Sequence, residues 1–243
     1  KNGIKNNIID TATTSLDEFP NDCDIVFICT PQSLTAKMLD TISKKTNKTT
    51  IISDIASVKD FVPKLTQQLP STTQFISGHP MGGSDKIGIE NAKADYLINA
   101  PYIIISTPCS KKETFKLFLK SLSFNVIECT AQDHDRLIGL ISHFPYLMAC
   151  LTVRTASQVS DKDIKRLGKL MGPGFKDTTR ISSSNPDWGT DISIANKKNM
   201  LSALTLLKTH INELETLILE GNPKNIETYF ANIQKSHTLL LKK

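Results

Sequence analysis

The sequence predicts an α/β chain in two parts, a doubly wound parallel sheet over residues 1–130 followed by an all-α region over residues 131–243. In the first part, short apolar runs alternate with amphipathic segments, which is typical of strands and helices that follow one another. The runs lack polar alternation, so each strand should be buried on both faces beneath helices. Beyond about residue 131 the helical pattern continues with few strand-like runs.

Five strands are expected in the first part, at residues 25–29, 50–54, 75–76, 102–106 and 125–129. Apolar residues at helical spacing predict helices at residues 33–46 and 58–69 and a third around Phe115 and Phe118. Alternation of strands and helices in this order is what a doubly wound sheet requires.

Long helices are expected in the second part. Residues 132–160 form one helical pattern, which Pro145 should kink. A later helix carries apolar residues at alternating spacings of four and three, namely Met200, Leu204, Leu207, Ile211, Leu214 and Ile218. This stripe either packs inside one subunit or forms a seam between two. The seam is favoured, because so much helix with few strands needs a partner surface.

Composition excludes several classes of protein. Of the 243 residues, 39% are hydrophobic and 22% are charged, which is typical of a soluble globular protein. The net charge of +5 is scattered and not interleaved with aromatic residues, so no nucleic-acid partner is expected. No apolar stretch approaches the ~20 residues of a membrane span, and no signal peptide is recognised. A cytoplasmic or plastid-stroma protein without a membrane partner is therefore expected.

The five cysteines form no Cys-x-x-Cys pair and several lie in apolar runs. Buried reduced thiols are therefore expected, and no metal site.

Small and polar residues follow three successive strands of the predicted sheet. Thr30 and Pro31 close the first strand, residues 54–59 follow the second, and residues 78–80 follow the third. Ligands of open parallel sheets bind at the carboxyl ends of the strands. Packing alone does not account for this pattern, which predicts a ligand site at this edge.

Seven motifs occur in a fixed order along the chain: Cys29–Pro31, Asp54–Lys59, Gly78–Gly83, Asn99–Tyr102, Asp133–Asp135, Ser142–Pro145 and Gly174–Arg180. In order and spacing they resemble the prephenate/arogenate dehydrogenase family of tyrosine biosynthesis, with the cyanobacterial and plastid-type arogenate enzymes closest. The resemblance implies a Rossmann-type dinucleotide-binding domain and an α-helical dimerisation domain. It also implies a homodimer through the C-terminal helices and NADP, or else NAD, as cofactor.

The family pattern opens with a strand, a Gly-x-Gly-x-x-Gly loop and a second strand, whereas this chain begins after that point. About 35 residues of the pattern are expected to be missing, so the sheet domain is expected to be N-terminally truncated. A fragment of a longer protein is favoured over a protein that has lost its hold on the cofactor. The position that separates NAD from NADP lies in the same absent part.

For the catalytic and cofactor sites, the resemblance implies His79 as the base that accepts the substrate hydroxyl proton. An imidazole suits this role because it titrates near neutrality, and Gly78 and Pro80 should hold it on a rigid turn. Ser57 is expected to position the reacting hydroxyl or the nicotinamide, although it could also cap a helix. The cofactor is expected to contact Thr30, Pro31, Ser57 and Lys59, although a solvated Lys59 is equally compatible with the sequence.

For the substrate site, Arg180 is expected to bind a carboxylate through bidentate bonds, with Asp177 orienting it by an ion pair on one helical face. His143, beside the proline, is implied to lie in the substrate pocket. Tyr146 replaces a second histidine that is common in prephenate-using members. A phenol in place of a cation favours arogenate as the substrate, with prephenate as the alternative.

Two further residues have expected positions. His134 is expected to be a polar residue at a helix start. Trp188, the only tryptophan, fits either the core or the rim of a site.

Two other functions remain open at this stage. One is a non-catalytic scaffold or a decayed enzyme, which is considered because the chain lacks the Gly-rich cofactor loop of the family pattern. The other is a different Rossmann-type dehydrogenase with a catalytic lysine in its helical part. Lys162, Lys165 and Lys169 are available for that role, but they resemble an ordinary charged helix face.

Overall fold

The computed structural model describes residues 2–5, 8–83 and 88–242, which divide into two compact units, residues 1–199 and 200–243. The strands are β1 Ile25–Ile28, β2 Ile51–Asp54, β3 Gln74–Phe75, β4 Gly78–Pro80, β5 Pro101–Ile105 and β6 Asn125–Cys129. The helices are α1 Asn2–Lys5, α2 Gln32–Ser43, α3 Val62–Gln68, α4 Lys112–Ser121, α5 Ala131–Ile138, α6 Phe144–Ala156, α7 Asp161–Leu170, α8 Pro173–Thr179, α9 Pro186–Ala195, α10 Lys197–Glu220 and α11 Pro223–Leu241.

The strands form two linked three-stranded arrays in the first unit. β1, β2 and β3 are parallel, in that order, and Ile28 is opposite Asp54, so β1 and β2 end at the same level. β5 and β6 are also parallel, but β4 runs antiparallel to β5. The segment between β3 and β4 joins the arrays, because Ile76 N–H donates to β2 and Ser77 O accepts from β5.

Helices cover both faces of this sheet, which confirms the doubly wound, Rossmann-like fold. Alternate residues of β5 enter two different apolar clusters: Ile103 and Ile105 pack with α2 and α3, whereas Tyr102 and Ile104 pack with α4. The expectation of burial on both faces is wrong for β6, where Ile127 is 44% exposed on the sheet edge.

The predicted kink at Pro145 takes a different form. Residues 131–156 form one helical run in which a π-helical segment, Gly139–His143, separates α5 from α6. Proline lacks an N–H and its ring crowds the preceding turn, so a wider turn just before Pro145 relieves both problems without ending the helix.

The same run corrects the expectation about membrane spans. By length and composition alone, Ala131–Ala156 is apolar enough to cross a bilayer. That is weak evidence for a span, since the run also carries His134, Asp135 and His143, which are buried and hydrogen-bonded within the protein.

The second unit consists of α11 and most of α10. Gly221, with a φ of +63°, ends α10, and the Asn222 side chain caps α11. Two members of the predicted apolar stripe, Ile211 and Ile218, are more than half exposed. Their exposure favours the seam between subunits over packing inside one subunit.

Candidate functional site

Two adjoining clefts open at the carboxyl ends of β1 and β2, within residues 1–199. The first, here named the strand-end cleft, has a volume of about 240 Å³, and the second, the His79 cleft, about 570 Å³. Ile55, Ser57, Asn185 and Trp188 line both. A ligand in one cleft would therefore meet a ligand in the other beside these four residues.

His79 lies in strand β4, opposite Ile103, and not on a turn as expected. Strand pairing holds it in place, and its side chain is 9% exposed where it lines the cleft. Gly78 is required beside it, because a Cβ there would come within 2.6 Å of the Tyr102 side chain. The short strand thus serves the same purpose as the predicted turn, which is to fix the imidazole.

A hydrogen-bonded chain runs from His79 into the protein. His79 Nδ1 lies 2.9 Å from His134 Nε2, and His134 Nδ1 lies 2.7 Å from Asp135 Oδ1. The backbone N–H of Lys59 donates to the same carboxylate oxygen at 2.8 Å. Sequence reasoning missed this role of His134, although its spacing from Ala131 and Ile138 on the buried face of α5 would have signalled its burial.

Burial lowers the pKa of His79 well below its usual 6.5, and the neighbouring Lys59, His134 and His143 lower it further. The imidazole is therefore neutral at pH 7. A neutral imidazole can accept a proton, so the environment keeps His79 in the form that a general base needs.

Lys59 does not reach either cleft, which corrects its expected contact with the cofactor. The side chain is fully buried, with Nζ 2.5 Å from Asp54 Oδ2 and 2.6 Å from Gly78 O. Burial lowers the pKa of Lys59, and the charge of Asp54 opposes that shift. Lys59 thus links the end of β2 to the start of β4 and holds the strand that carries His79.

Ser57 lies where the two clefts meet. Its Oγ accepts a hydrogen bond from Trp188 Nε1 at 3.3 Å. The alternative of a helix cap is wrong, because α3 begins only at Val62, with Phe61 at its N-cap position. The Ser57 hydroxyl proton therefore remains available to a ligand.

Trp188 forms a wall of both clefts and also packs against the buried cluster of Val58, Tyr146 and Ile192, so it combines its two predicted roles. Its ring meets Tyr146 and His143 edge to face, at centroid distances of 5.0 and 6.1 Å.

Neither His143 nor Tyr146 lines the His79 cleft, although Ser142 does. His143 is fully buried and its Nδ1 accepts from Asn196 Nδ2 at 3.1 Å, while burial lowers its pKa to about 4. Tyr146 is 9% exposed and packs against Gly189. The structure therefore places both residues against Trp188, and their contact with substrate stays a prediction.

Arg180 lines the His79 cleft at the start of a 3₁₀ helix, Arg180–Ser183. Asp177 is exposed on α8, and the described ion pairs include none between it and Arg180. A spacing of three keeps the two positions on one side of the helix, so the orienting role of Asp177 stays a prediction.

The strand-end cleft fits the nicotinamide end of a dinucleotide. Thr30 Oγ1 is buried without a hydrogen-bond partner among the described atoms, and Pro31 lies beside it at the start of α2. Asp187 and Asp191 add acceptors for ribose hydroxyls or a carboxamide, and Ile55 and Trp188 add apolar walls. The described lining holds no lysine or arginine, so it does not fit a phosphate group.

Comparison with known proteins identifies the family of the chain. The profile of the prephenate dehydrogenase nucleotide-binding domain matches residues 1–126, and that of the prephenate dehydrogenase dimerization domain matches residues 130–232. The chain is 31% identical to the prephenate dehydrogenase of Bacillus subtilis over 234 residues, which is 93% of this chain and 62% of that protein. The chain spans less than two thirds of the length of the first curated relatives it matches.

Solved structures share the fold. Arogenate dehydrogenase from Synechocystis is 28% identical, with a TM-score of 0.79, over 99% of this chain and 87% of that one. Prephenate dehydrogenase from Aquifex aeolicus, in complex with hydroxyphenyl propionate and NAD+, is 26% identical, with a TM-score of 0.86, over 98% of this chain and 84% of that one. The resemblance inferred from the motifs is confirmed: the chain belongs to the prephenate dehydrogenase family.

Proposed function

We propose that the protein containing this chain is a nicotinamide-dependent dehydrogenase that converts a cyclohexadienyl substrate to a phenol with loss of carbon dioxide. One observation carries the proposal. A buried, neutral histidine, His79, lines a cleft that meets the strand-end cleft at Ser57. This arrangement supports the transfer of hydride between two ligands beside a base.

His79 accepts the proton of the ring hydroxyl as hydride leaves the carbon that bears it. It returns the proton to the same oxygen when the ring carboxylate leaves as carbon dioxide and its bonding electrons enter the ring. A bound nicotinamide supplies the hydride acceptor. Ser57 donates a hydrogen bond at the meeting point of the two clefts, which orients the hydroxyl for transfer.

Arg180 binds a substrate carboxylate, because a guanidinium makes paired hydrogen bonds with that group. It is the only cation in the described lining of the His79 cleft. Arogenate has a zwitterionic side chain and one net negative charge, whereas prephenate has two. A single cation among the described lining residues, together with Tyr146 in place of a second histidine, supports arogenate as the substrate; prephenate is the alternative.

The remaining assignments follow from the family. The sheet domain is proposed to span residues 1–130 and the helical domain residues 131–243, in a cytoplasmic or plastid protein. The cofactor is NADP or NAD; the Aquifex aeolicus relative was solved with NAD+.

The test uses the full-length protein, both substrates and both cofactors. We expect kcat/KM to be about 5- to 30-fold higher for arogenate, since removing one ion pair changes binding by roughly 1–2 kcal/mol. Trp188 lines both clefts, so quenching of its fluorescence reports binding independently of turnover. A preference for prephenate contradicts the substrate assignment. A protein whose Trp188 fluorescence responds to neither cofactor contradicts the dehydrogenase proposal.

A further inference from the structure

We propose that His134 is a positioning residue that fixes the tautomer of His79 and so keeps Nε2 of His79 free to accept the substrate proton. This inference rests on the proposed function, because it assigns a task to the residue behind the proposed base. His134 is 1% exposed and touches neither cleft, so it acts only through His79.

The direction of the hydrogen bonds follows from the acceptor at the end of the chain. An ionised carboxylate only accepts hydrogen bonds, so Asp135 requires a proton on Nδ1 of His134, 2.7 Å away. With that proton on Nδ1, the lone pair of the His134 imidazole is on Nε2, which accepts from Nδ1–H of His79 at 2.9 Å. With Nδ1 protonated, a neutral His79 has its lone pair on Nε2.

Asp135 is itself held in place, and this fixes the direction of the hydrogen bonds between Asp135, His134 and His79. Its Oδ1 also accepts from the backbone N–H of Lys59, and its backbone oxygen accepts from the Asn196 side chain at 2.8 Å. When His79 takes up a proton, the Nδ1–H bond to His134 becomes charge-assisted, while Asp135 still accepts from the other ring nitrogen of His134. The same chain therefore orients the base before proton transfer and keeps a hydrogen bond to its charged form afterwards.

Several charged or titratable groups surround His79 and must be considered in any pH profile. Asp54 ends β2, and Lys59 lies five residues beyond it. His134 and Asp135 are on α5, and His143 is in the π-helical segment that follows α5. Arg180 lines the His79 cleft. Of these, only His134 bonds directly to the His79 ring among the described contacts. Removing His134 therefore changes the tautomer of His79. Asp135 acts on that tautomer only through His134, and the remaining groups change only the affinity of His79 for a proton.

A matched pair of variants distinguishes positioning from simple packing. In His134→Gln the amide oxygen can still accept from Nδ1–H of His79, so kcat should stay within about tenfold of the original. His134→Leu offers no acceptor, so kcat should fall about 100-fold with little change in KM, which is the size of effect expected for a misoriented general base. Equal losses in the two variants, at equal melting temperatures, would overturn the proposal.

A measurement on the unmodified protein covers the case in which His134→Leu does not fold. Long-range ¹H–¹⁵N correlation spectra at pH 7.5 separate the two neutral tautomers, and His79→Asn identifies the signals of His79. We expect protonated Nδ1 in both His79 and His134; a protonated Nε2 in His79 overturns the proposal. This readout needs no turnover, so an inactive protein with the expected tautomer would count against the proposed function alone.

Discussion

At the scale of single residues, the burial of His79 sets the pH range in which a base is available. Its pKa lies well below 6.5, first because of burial and then because of the positive charge of Lys59. Protonating the buried ring is unfavourable in the folded protein, so the imidazole stays neutral and able to accept a proton. The surrounding polar groups then decide which nitrogen accepts.

This environment predicts the acid limb of the rate profile. The base acts only when neutral, that is, at a pH above its own pKa, so kcat/KM should hold down to a pH clearly below 6.5. The profile should be measured in the full-length protein with saturating cofactor. An acid limb at or above pH 6.5 would contradict a lowered pKa of His79 in the substrate-free enzyme with cofactor bound.

His143 links pH to stability. Its pKa is lowered from 6.5 to about 4 by burial, so between these values the unfolded chain binds more protons than the folded chain. Stability is therefore retained above pH 6.5 and lost as the pH falls toward 4, by about 3 kcal/mol at 1.36 kcal/mol per pKa unit.

Urea unfolding as a function of pH tests this linkage. His143→Gln should flatten the slope between pH 6.5 and 4, whereas His237→Gln, on the exposed surface of α11, should leave it unchanged. Identical slopes in the original protein and in His143→Gln would show that His143 does not carry the effect.

At the scale of elements, the short strand β4 decides where His79 lies, and Gly78 decides whether β4 can form. A methyl group at position 78 would come within 2.6 Å of the Tyr102 ring and hydroxyl, so the strand or the ring must move.

Gly78→Ala should therefore destabilise the protein by roughly 1–3 kcal/mol and reduce kcat by displacing His79. Gly168→Ala is the control, since nothing lies within 4 Å of a Cβ there and alanine favours its helix. Equal melting temperatures for Gly78→Ala and the unmodified protein would contradict this role.

Local patterns were enough to predict most elements and the edge that carries the site. Apolar runs indicated the strands, and residues such as Thr30 and Ser57 marked their carboxyl ends. The contact between His79 and His134 was not predictable, because it joins positions 55 residues apart through packing. The contacts of Lys59 were not predictable either. Its buried side chain pairs with Asp54 and the Gly78 oxygen because strand β4 forms there, and no periodic pattern of apolar residues in the sequence indicates β4.

At the scale of the whole molecule, exposed apolar side chains on the long helices support a homodimer. In α10 and α11 the large apolar residues that are more than half exposed include Ile211, Ile218, Phe230 and Ile233. A soluble protein rarely leaves so many together in water. The match of residues 130–232 to a dimerization domain supports the same assembly.

Charge placed on this surface tests the proposed dimer. Ile211→Glu and Ile218→Glu should each raise the dimer dissociation constant by at least about 100-fold, because a carboxylate would be buried without a partner. Thr216→Glu, exposed on the same helix, is the control. Sedimentation equilibrium measures the shift; unchanged dimers in both isoleucine variants would place the interface elsewhere.

The most direct test of the central claim measures carbon dioxide and reduced cofactor together in the full-length protein. With arogenate, or failing that prephenate, we expect one carbon dioxide for each reduced cofactor formed. His79→Asn should lower kcat about 1000-fold while Trp188 fluorescence still reports binding. The absence of reduced cofactor with both substrates, or a His79→Asn rate within a few-fold of the original, would contradict His79 as the base of a decarboxylating dehydrogenase.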